Sequence, residues 1–150
     1  MKKLIVIALA VVMALSVVAF AACGGEKTVT GDCHYDNYGH TYGVKVDVTV
    51  KGGVITAVKL YTDAESGYVR TSEGWTTPGI GHDAAEAAYE GWINEKIVGQ
   101  SVETVKGWEV TAGIVDGKAV TEIKSGPVIT GATQSSARIL AAVQDALNQL

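Results

Sequence analysis

Cysteine, proline and phenylalanine are scarce in this chain. Its 150 residues include two cysteines, two prolines and one phenylalanine. Two cysteines can form at most one disulfide, which excludes the small scaffolds that depend on several. The sequence also has no internal repeat and no low-complexity segment. It therefore indicates an ordinary globular domain with one hydrophobic core.

The motifs of several common enzyme classes are missing as well. The sequence has no phosphate-binding loop of the G-x-x-x-x-G-K-S/T type, no zinc signature and no nucleophile with a recognisable base. Cys33, His34 and His40 lie near one another in sequence. Without a second C-x-x-C or H-x-x-x-H pair, however, we expect no metal site there. We expect Cys33 to be a small buried thiol and the two imidazoles to be exposed.

Residues 1–22 have the pattern of a signal peptide. Two lysines precede an apolar run over 4–18, and two alanines stand immediately before Cys23. A basic start, an apolar centre and small residues before a cysteine are typical of a bacterial lipoprotein signal. The alternative is a retained transmembrane anchor, because the run is nearly long enough to span a bilayer. We favour cleavage, after which the mature chain begins at a lipidated Cys23.

Cleavage leaves a short tether and one domain. Residues 23–27 become the lipidated cysteine and tether, and 28–150 form a unit of ordinary domain size. Loss of the two lysines leaves ten basic and sixteen acidic residues, a net charge of −6. An acidic surface argues against nucleic acid as a partner and against attraction to anionic lipid heads. We therefore expect lipid on Cys23 to hold the protein on the extracytoplasmic face of the cell membrane.

The first part of the domain predicts strands. Valines alternate with polar residues from Val44 to Val50, which is the period of a half-buried strand. Gly52–Gly53 then separates this run from a second β-rich run over 54–61, so we predict a β-hairpin. A short strand over 28–32 and a turn-rich, tyrosine-rich loop over 35–43 are expected before it.

The second part predicts helices and another hairpin. A long polar loop over 63–82 precedes an alanine-rich helix over 83–98 that ends at Gly99. Ser101 is expected to cap a short helix, and 108–123 predicts a second hairpin. The predicted fold class is α+β: a single small domain in which an antiparallel sheet with a β-hairpin is packed by helices, including an amphipathic C-terminal helix.

The C-terminal segment combines a polar turn with this amphipathic helix. Residues 130–136 read Thr-Gly-Ala-Thr-Gln-Ser-Ser, and an apolar face follows at Ile139, Leu140, Val143, Ala146, Leu147 and Leu150. We expect the hydroxyls to cap the first helical turn and its free N–H groups to attract an anion such as phosphate. An ordinary cap without a ligand is the alternative. Arg138 is expected either to neutralise such an anion or to be solvated.

Two stretches in the right order carry a resemblance to a known family. Thr130-Gly131-Ala132-Thr133 resembles the S/T-G-A-T motif of the FMN-binding domain family, and 42–58 resembles that family's glycine-led strand, turn and strand. The family includes one component each of the sodium-pumping NADH:quinone reductases and of the related Rnf complexes, together with small surface lipoproteins. In those relatives a flavin transferase joins FMN through a phosphodiester bond to the motif's last threonine, which is Thr133 here.

The resemblance also implies which residues bind the cofactor. It places the phosphate at the motif and the following serines, and the flavin ring near a turn similar to the family's E-T-P-G turn. The implied cofactor-binding residues are Thr133, Thr130, Gly131, Ala132, Ser135, Ser136, Thr77, Pro78 and Gly79. Thr76 stands where the family has glutamate, so the turn is implied to contact the ring without supplying a titratable group. At least one of Tyr35, Tyr38 and Tyr42 is expected either to face the flavin or to cap the edge of the core.

One position departs from the family pattern. Relatives with covalent FMN carry aspartate six residues before the acceptor threonine, where this chain has Pro127. Three alternatives follow: FMN is joined to Thr133 nonetheless, FMN binds without a covalent bond, or the fold has lost flavin.

The resemblance implies a membrane-anchored extracytoplasmic electron carrier. FMN would supply the redox chemistry. The implied partners are a flavin transferase, a membrane electron donor such as a quinone or NADH reductase, and the lipid bilayer through Cys23. The sequence leaves enzymatic activity undecided but favours a carrier over an enzyme with its own substrate, because no catalytic residue is identified. The alternative is a non-redox surface module that binds another ligand or another protein.

Overall fold

The computed structural model describes residues 25–37, 40–68, 82–116 and 118–150. The expected signal peptide with Cys23, the tyrosine at position 38 and the turn formed by Thr77, Pro78 and Gly79 lie outside these ranges. In the ranges that are described, no helix is both long enough and apolar enough to cross a membrane.

A three-stranded antiparallel sheet begins the domain. Its strands, in spatial order, are β1 (Lys27–Asn37), β2 (His40–Lys51) and β3 (Val54–Leu60). The predicted hairpin is confirmed, since β2 and β3 pair on either side of Gly52 and Gly53 and Val44, Val46, Val48 and Val50 are buried. The two glycines have φ of 58° and 78°. Positive φ at two successive residues gives a turn whose twist matches the flanking strands, and glycine adopts it without strain.

The predicted loop over 35–43 is wrong at 35–37 and 40–43, and positions 38 and 39 lie outside the described residues. Residues 35–37 belong to β1 and 40–43 to β2, and in their ladder Tyr35 pairs with Tyr42 and Asn37 with His40. The two tyrosine rings stack with centroids 5.7 Å apart. Such cross-strand aromatic pairs stabilise a sheet, and they outweigh the turn preference of the polar residues between them. The first strand is accordingly longer than the segment 28–32 that the sequence predicts.

The remaining elements follow the predicted order, with one additional short helix that was not predicted. They are α1 (Asp63–Ser66), α2 (His82–Lys96), α3 (Val102–Lys106), β4 (Val110–Val115), β5 (Lys118–Ile123) and α4 (Thr133–Leu147). α1 occupies the start of the region expected to be a polar loop, and the remainder of that region, 69–81, lies outside the described residues. β4 and β5 form the second predicted hairpin as a separate two-stranded sheet. The α+β fold class is confirmed.

Local signals set the bounds of α2 and α3. Gly99 follows α2 with φ of 89°, a left-handed conformation that ends helices. Ser101 caps α3 as predicted, because its hydroxyl accepts the Thr104 N–H at 3.1 Å. Between the two helices, the Gly99 N–H donates to Ile55 O at 2.8 Å and the Ile55 N–H donates to Gln100 O at 2.9 Å. These bonds pair the first residues of β3 with the segment between the two helices, along the edge of β3 that faces away from β2.

α4 packs against both sheets and completes the core. It contacts β1 and β2 on one side and β4 and β5 on the other. Five of the six residues predicted for its apolar face are fully buried: Ile139, Leu140, Val143, Ala146 and Leu147. Leu150 is 46% exposed, so its inclusion in that face is wrong. The helix ends at Leu147 with Asn148 as its C-cap, which takes Leu150 out of the helical period.

The backbones of α4 and β1 approach each other closely at Gly31. A Cβ built on Gly31 would overlap the backbone N of Ala146 and the backbone O of Ala142, and would lie 2.8 Å from Ala146 Cα. Since all of these are main-chain atoms, no change of side-chain rotamer could relieve the overlap. Glycine at this position is therefore required by the distance between the helix and the strand.

We predict that Gly31→Ala destabilises the domain by about 3 kcal/mol, because α4 would have to move away from the sheet. The matched control is Gly91→Ala in the interior of α2, where a Cβ would meet nothing within 4 Å. That change should stabilise the domain by about 0.5–1 kcal/mol, since alanine favours the helix. Urea unfolding followed by far-UV circular dichroism measures both. Unchanged stability of Gly31→Ala would contradict the predicted overlap.

Candidate functional site

The Thr-Gly-Ala-Thr turn leads directly into α4. The Ala132 N–H donates to Ile129 O at 2.9 Å, which closes the turn. Gly131 has φ of 82°, in the region that favours glycine. Ala132 is buried, whereas Thr130, Gly131 and Thr133 are exposed. The turn therefore packs one methyl group into the core and presents both threonines to solvent.

In the described structure no side chain caps the start of α4. Ala132 occupies the N-cap with φ of −130°, makes no side-chain cap bond, and no acidic residue follows in the first turn. The expected capping by serine and threonine is therefore wrong. The serine and threonine hydroxyls are not at the capping position, because the cap residue is an alanine and the following hydroxyls already lie inside the helix. The first N–H groups of α4 are left without a side-chain acceptor, next to the positive end of the helix dipole.

Ser136 ties this turn to the helix. Its hydroxyl donates to Ala132 O at 2.9 Å and accepts the Ile129 N–H at 3.0 Å. The side chain is fully buried. One hydroxyl thus fixes the backbone immediately before the motif and within it, and both of these hydrogen bonds serve the fold.

The remaining predicted residues at the turn lie close together. Thr133 is the first residue of α4, and among the described residues no partner engages its hydroxyl. Ser135, two positions further on, is 3% exposed. The structure thus brings Thr130, Thr133 and Ser135 to the same helix end. The predicted Thr77-Pro78-Gly79 turn lies outside the described residues, so its place near this end stays a prediction.

Arg138 is buried beside the helix start, so the expected alternative of a solvated side chain is wrong. Only 7% of the residue is exposed. Its Nη2 donates to Tyr35 Oη at 3.0 Å, and its guanidinium carbon lies 5.2 Å from the centroid of the same ring. Its Nε is buried and has no hydrogen-bond partner within the described ranges. The contact escapes sequence reasoning because it joins α4 to the end of β1, a region in which the sequence predicts a loop.

Tyr35 and Tyr42 place two aromatic rings beside the start of α4. Tyr35 and Tyr42 are half-buried and stack at an interplanar angle of 30°. Because Tyr35 also contacts Arg138, the pair is continuous with the first turns of α4. The structure thus places two of the three tyrosines singled out from the sequence beside the predicted phosphate end.

Cys33 is a free buried thiol, as predicted. It is 8% exposed and makes no disulfide. Burial raises the pKa of the thiol to about 11, against the opposing effect of the positive charge on Arg138. The side chain of His34 is exposed, also as predicted. Among the residues that the structure describes, no group of histidine, cysteine and acidic side chains could hold a metal ion.

A polar cluster on the other face of β1 was not predicted. The Tyr68 hydroxyl donates to the carboxylate of Asp32, and the His34 Nδ1 lies 3.1 Å from the other carboxylate oxygen. The rings of His34 and Tyr68 stack with centroids 5.3 Å apart. Burial and the bond to Asp32 raise the pKa of Tyr68 to about 12. No local pattern indicates this cluster, because Tyr68 reaches β1 from beyond α1.

Comparison with known proteins identifies one family. A model described as FMN-binding domain matches residues 38–148. The match covers β2 through α4 and includes both stretches on which the resemblance rests. No curated protein and no solved structure matches this chain.

The raised pKa of Cys33 predicts a loss of stability at high pH. The thiol titrates near 9.0 when unfolded and near 11 when folded. A folded pKa above the unfolded value gives a contribution that is complete below pH 9 and is lost as the pH rises towards 11. Relative to Cys33→Ala in the same Cys23→Ser background, the unfolding free energy should therefore fall by about 2–3 kcal/mol over that range. Parallel pH profiles of the two proteins in urea unfolding would contradict this assignment.

Proposed function

The chain belongs to the FMN-binding domain family and FMN is its cofactor, and on that basis we propose a membrane-anchored electron carrier with FMN joined to Thr133. In this proposal the flavin phosphate lies at the start of α4, and lipid on Cys23 holds the domain on the extracytoplasmic face of the membrane. The observation that carries the proposal is the exposed hydroxyl of Thr133 at a helix start that no side chain caps.

The described residues fit a phosphate at this position. The first N–H groups of α4 have no side-chain acceptor among the described residues, and they lie at the positive end of the helix dipole. Arg138 adds a buried positive charge with one unpaired N–H nearby. No acidic side chain of the first turn would repel an anion. Thr133, Ser135 and the turn around Gly131 would surround the phosphate, while Ser136 holds the turn in place.

Attachment at Thr133 requires little of the protein. The Thr133 Oγ would bond to the FMN phosphorus of an activated flavin nucleotide as the bond from that phosphorus to the leaving nucleotide breaks. The hydroxyl proton is lost to solvent. The flavin transferase supplies the activation, and this chain supplies an exposed acceptor hydroxyl, which no described residue occupies.

Pro127 leaves non-covalent binding as the alternative. Asp145 does not replace the missing carboxylate, because it lies twelve residues along α4 from Thr133, about 18 Å by helical rise. The Asp145 carboxylate instead accepts the Asp32 N–H at 3.0 Å. Either mode would use the same phosphate position at the helix start, and they differ in whether Thr133 is chemically modified.

The proposed role in electron transfer rests on the FMN cofactor and on the proposed membrane anchor. FMN, when bound, accepts and donates one or two electrons, while the protein supplies position and electrostatic environment. The proposed tether of residues 23–27 extends at most about 18 Å, so the domain would stay close to the bilayer. This distance favours a donor in the membrane, such as a quinone or NADH reductase. The net charge of −6 after signal cleavage argues against additional attraction to anionic lipid.

Mass spectrometry tests the covalent bond. Coexpression of the full-length chain with a flavin transferase should raise the mature mass by one FMN less one water, on the order of 440 Da. Thr133→Val should abolish the increase, since it keeps the side-chain shape and removes the hydroxyl. The matched control is Thr111→Val at an exposed threonine of β4, outside the motif, which should retain the increase.

The alternatives give different results in this experiment. An unmodified mass with flavin absorption that co-purifies and is lost on denaturation would establish non-covalent FMN. A mass increase that survives in Thr133→Val would contradict Thr133 as the acceptor. Bleaching of the bound flavin by NADH and membranes, but not by NADH alone, is the expected sign of a membrane donor.

The anchor is tested separately at Cys23. Cys23→Ser should release the protein from the membrane fraction and remove lipid from the mature N-terminus, because no thiol remains to be modified. Cell fractionation and metabolic labelling with a fatty acid measure the two effects. Cys33→Ser is the matched control and should stay labelled. Membrane retention of unlabelled Cys23→Ser would favour an uncleaved transmembrane anchor.

A further inference from the structure

Arg138 is a buried cation that has no counter-charge among the residues that the structure describes. Among the described residues its side-chain hydrogen-bond partner is the neutral Tyr35 hydroxyl. The ion pairs of the described structure do not include it, and its buried Nε has no hydrogen-bond partner in the same part of the chain. An unpaired buried guanidinium is costly, because it loses hydration without gaining an opposite charge. Such an arrangement points to an anion that binds from outside the chain.

The position of Arg138 indicates where that anion lies. Arg138 follows Thr133 by five residues, an axial rise of about 7.5 Å. Helical side chains lean towards the N-terminus, and an extended arginine is about as long as this rise. Tyr35 holds the guanidinium at 3.0 Å, while buried Ser135 lies one turn earlier on the same face. The positive charge is therefore directed at the uncapped first turn of α4.

We propose that Arg138 binds the phosphate charge of FMN at the start of α4, and thereby makes the protein prefer FMN to riboflavin. Tyr35 acts through Arg138 as a positioning residue. The inference rests on the proposed placement of the phosphate at Thr133. It also extends the site beyond the region matched by the family model, which begins at residue 38, because Tyr35 belongs to β1.

The rival explanation is that Arg138 only ties α4 to β1 through Tyr35. The two roles predict opposite effects on the flavin-free protein. A structural tie predicts that its removal lowers stability. If Arg138 instead serves to bind an anion, Arg138→Met should raise the melting temperature by about 2–5 °C. Methionine is apolar and similar in size, so the change removes an unpaired buried cation.

Reversible binding to the full-length chain made without flavin transferase tests the proposal. FMN and riboflavin are titrated by flavin fluorescence into the wild type, Arg138→Gln, Arg138→Lys and Tyr35→Phe. Arg138→Gln should weaken FMN binding about tenfold and leave riboflavin binding within about twofold, because only FMN carries the phosphate. Arg138→Lys, which keeps the charge, should recover part of the preference. Tyr35→Phe should give a smaller loss for FMN alone.

Inorganic phosphate provides a second test of the role of Arg138. It should raise the melting temperature of the wild type and have no effect on Arg138→Gln, with sodium chloride at equal ionic strength as the control. An equal loss for FMN and riboflavin in Arg138→Gln, or an unchanged ratio of the two affinities, would overturn the role of Arg138 while leaving FMN binding intact.

Failure of the proposed function gives a distinct result. If the wild type binds neither flavin, the placement of FMN at this site is wrong. The melting temperatures with inorganic phosphate then decide whether Arg138 belongs to an anion site. Stabilisation by phosphate that depends on Arg138 supports an anion site of another kind, and absence of stabilisation overturns the proposed role of Arg138. A lower melting temperature for flavin-free Arg138→Met would establish the structural tie instead.

Discussion

The contact between the backbone of α4 and Gly31 determines how the rest of the domain is arranged. With Ala142 and Ala146 lying directly on this glycine, α4 runs close along β1. The other contacts occur at positions that this alignment sets: the Asp32 N–H meets Asp145 near the end of the helix, and Tyr35 meets Arg138 near its start. The same close packing buries Cys33 between them. The candidate site is thus positioned by an interaction between two main chains.

The elements that depend on local pattern could be predicted from the sequence. The valine alternation from Val44 to Val50, the Gly52–Gly53 turn and most of the apolar face of α4 are confirmed, because each is encoded within a few residues. The length of β1 could not be predicted, since it depends on pairing with β2 and on a tyrosine stack. The environment of Arg138 depends in turn on that length. Errors therefore occur where segments distant in sequence decide the structure.

The motif at the start of α4 has residues of two kinds. Ala132 and Ser136 are buried and serve the fold, one as a small N-cap residue and the other by bonding the backbone at Ile129 and Ala132. Thr133 and the first N–H groups face outward and are not used by the described structure. Capping by a hydroxyl would occupy those donors, so the alanine at the cap position keeps the helix start open to an anion. The polar turn predicts an anion site at this helix start, although the capping residues expected from it are wrong.

The proposed phosphate would resolve two electrostatic costs together. In the flavin-free protein, the positive end of α4 and the buried guanidinium of Arg138 lie near each other, and neither has an anionic partner among the described residues. One bound phosphate would compensate both, so ligand binding and folding stability are coupled in this part of the fold. A covalent bond at Thr133 would make that compensation permanent. The chain could then retain an arginine whose burial is unfavourable in the empty domain, because the mature protein would not return to that state.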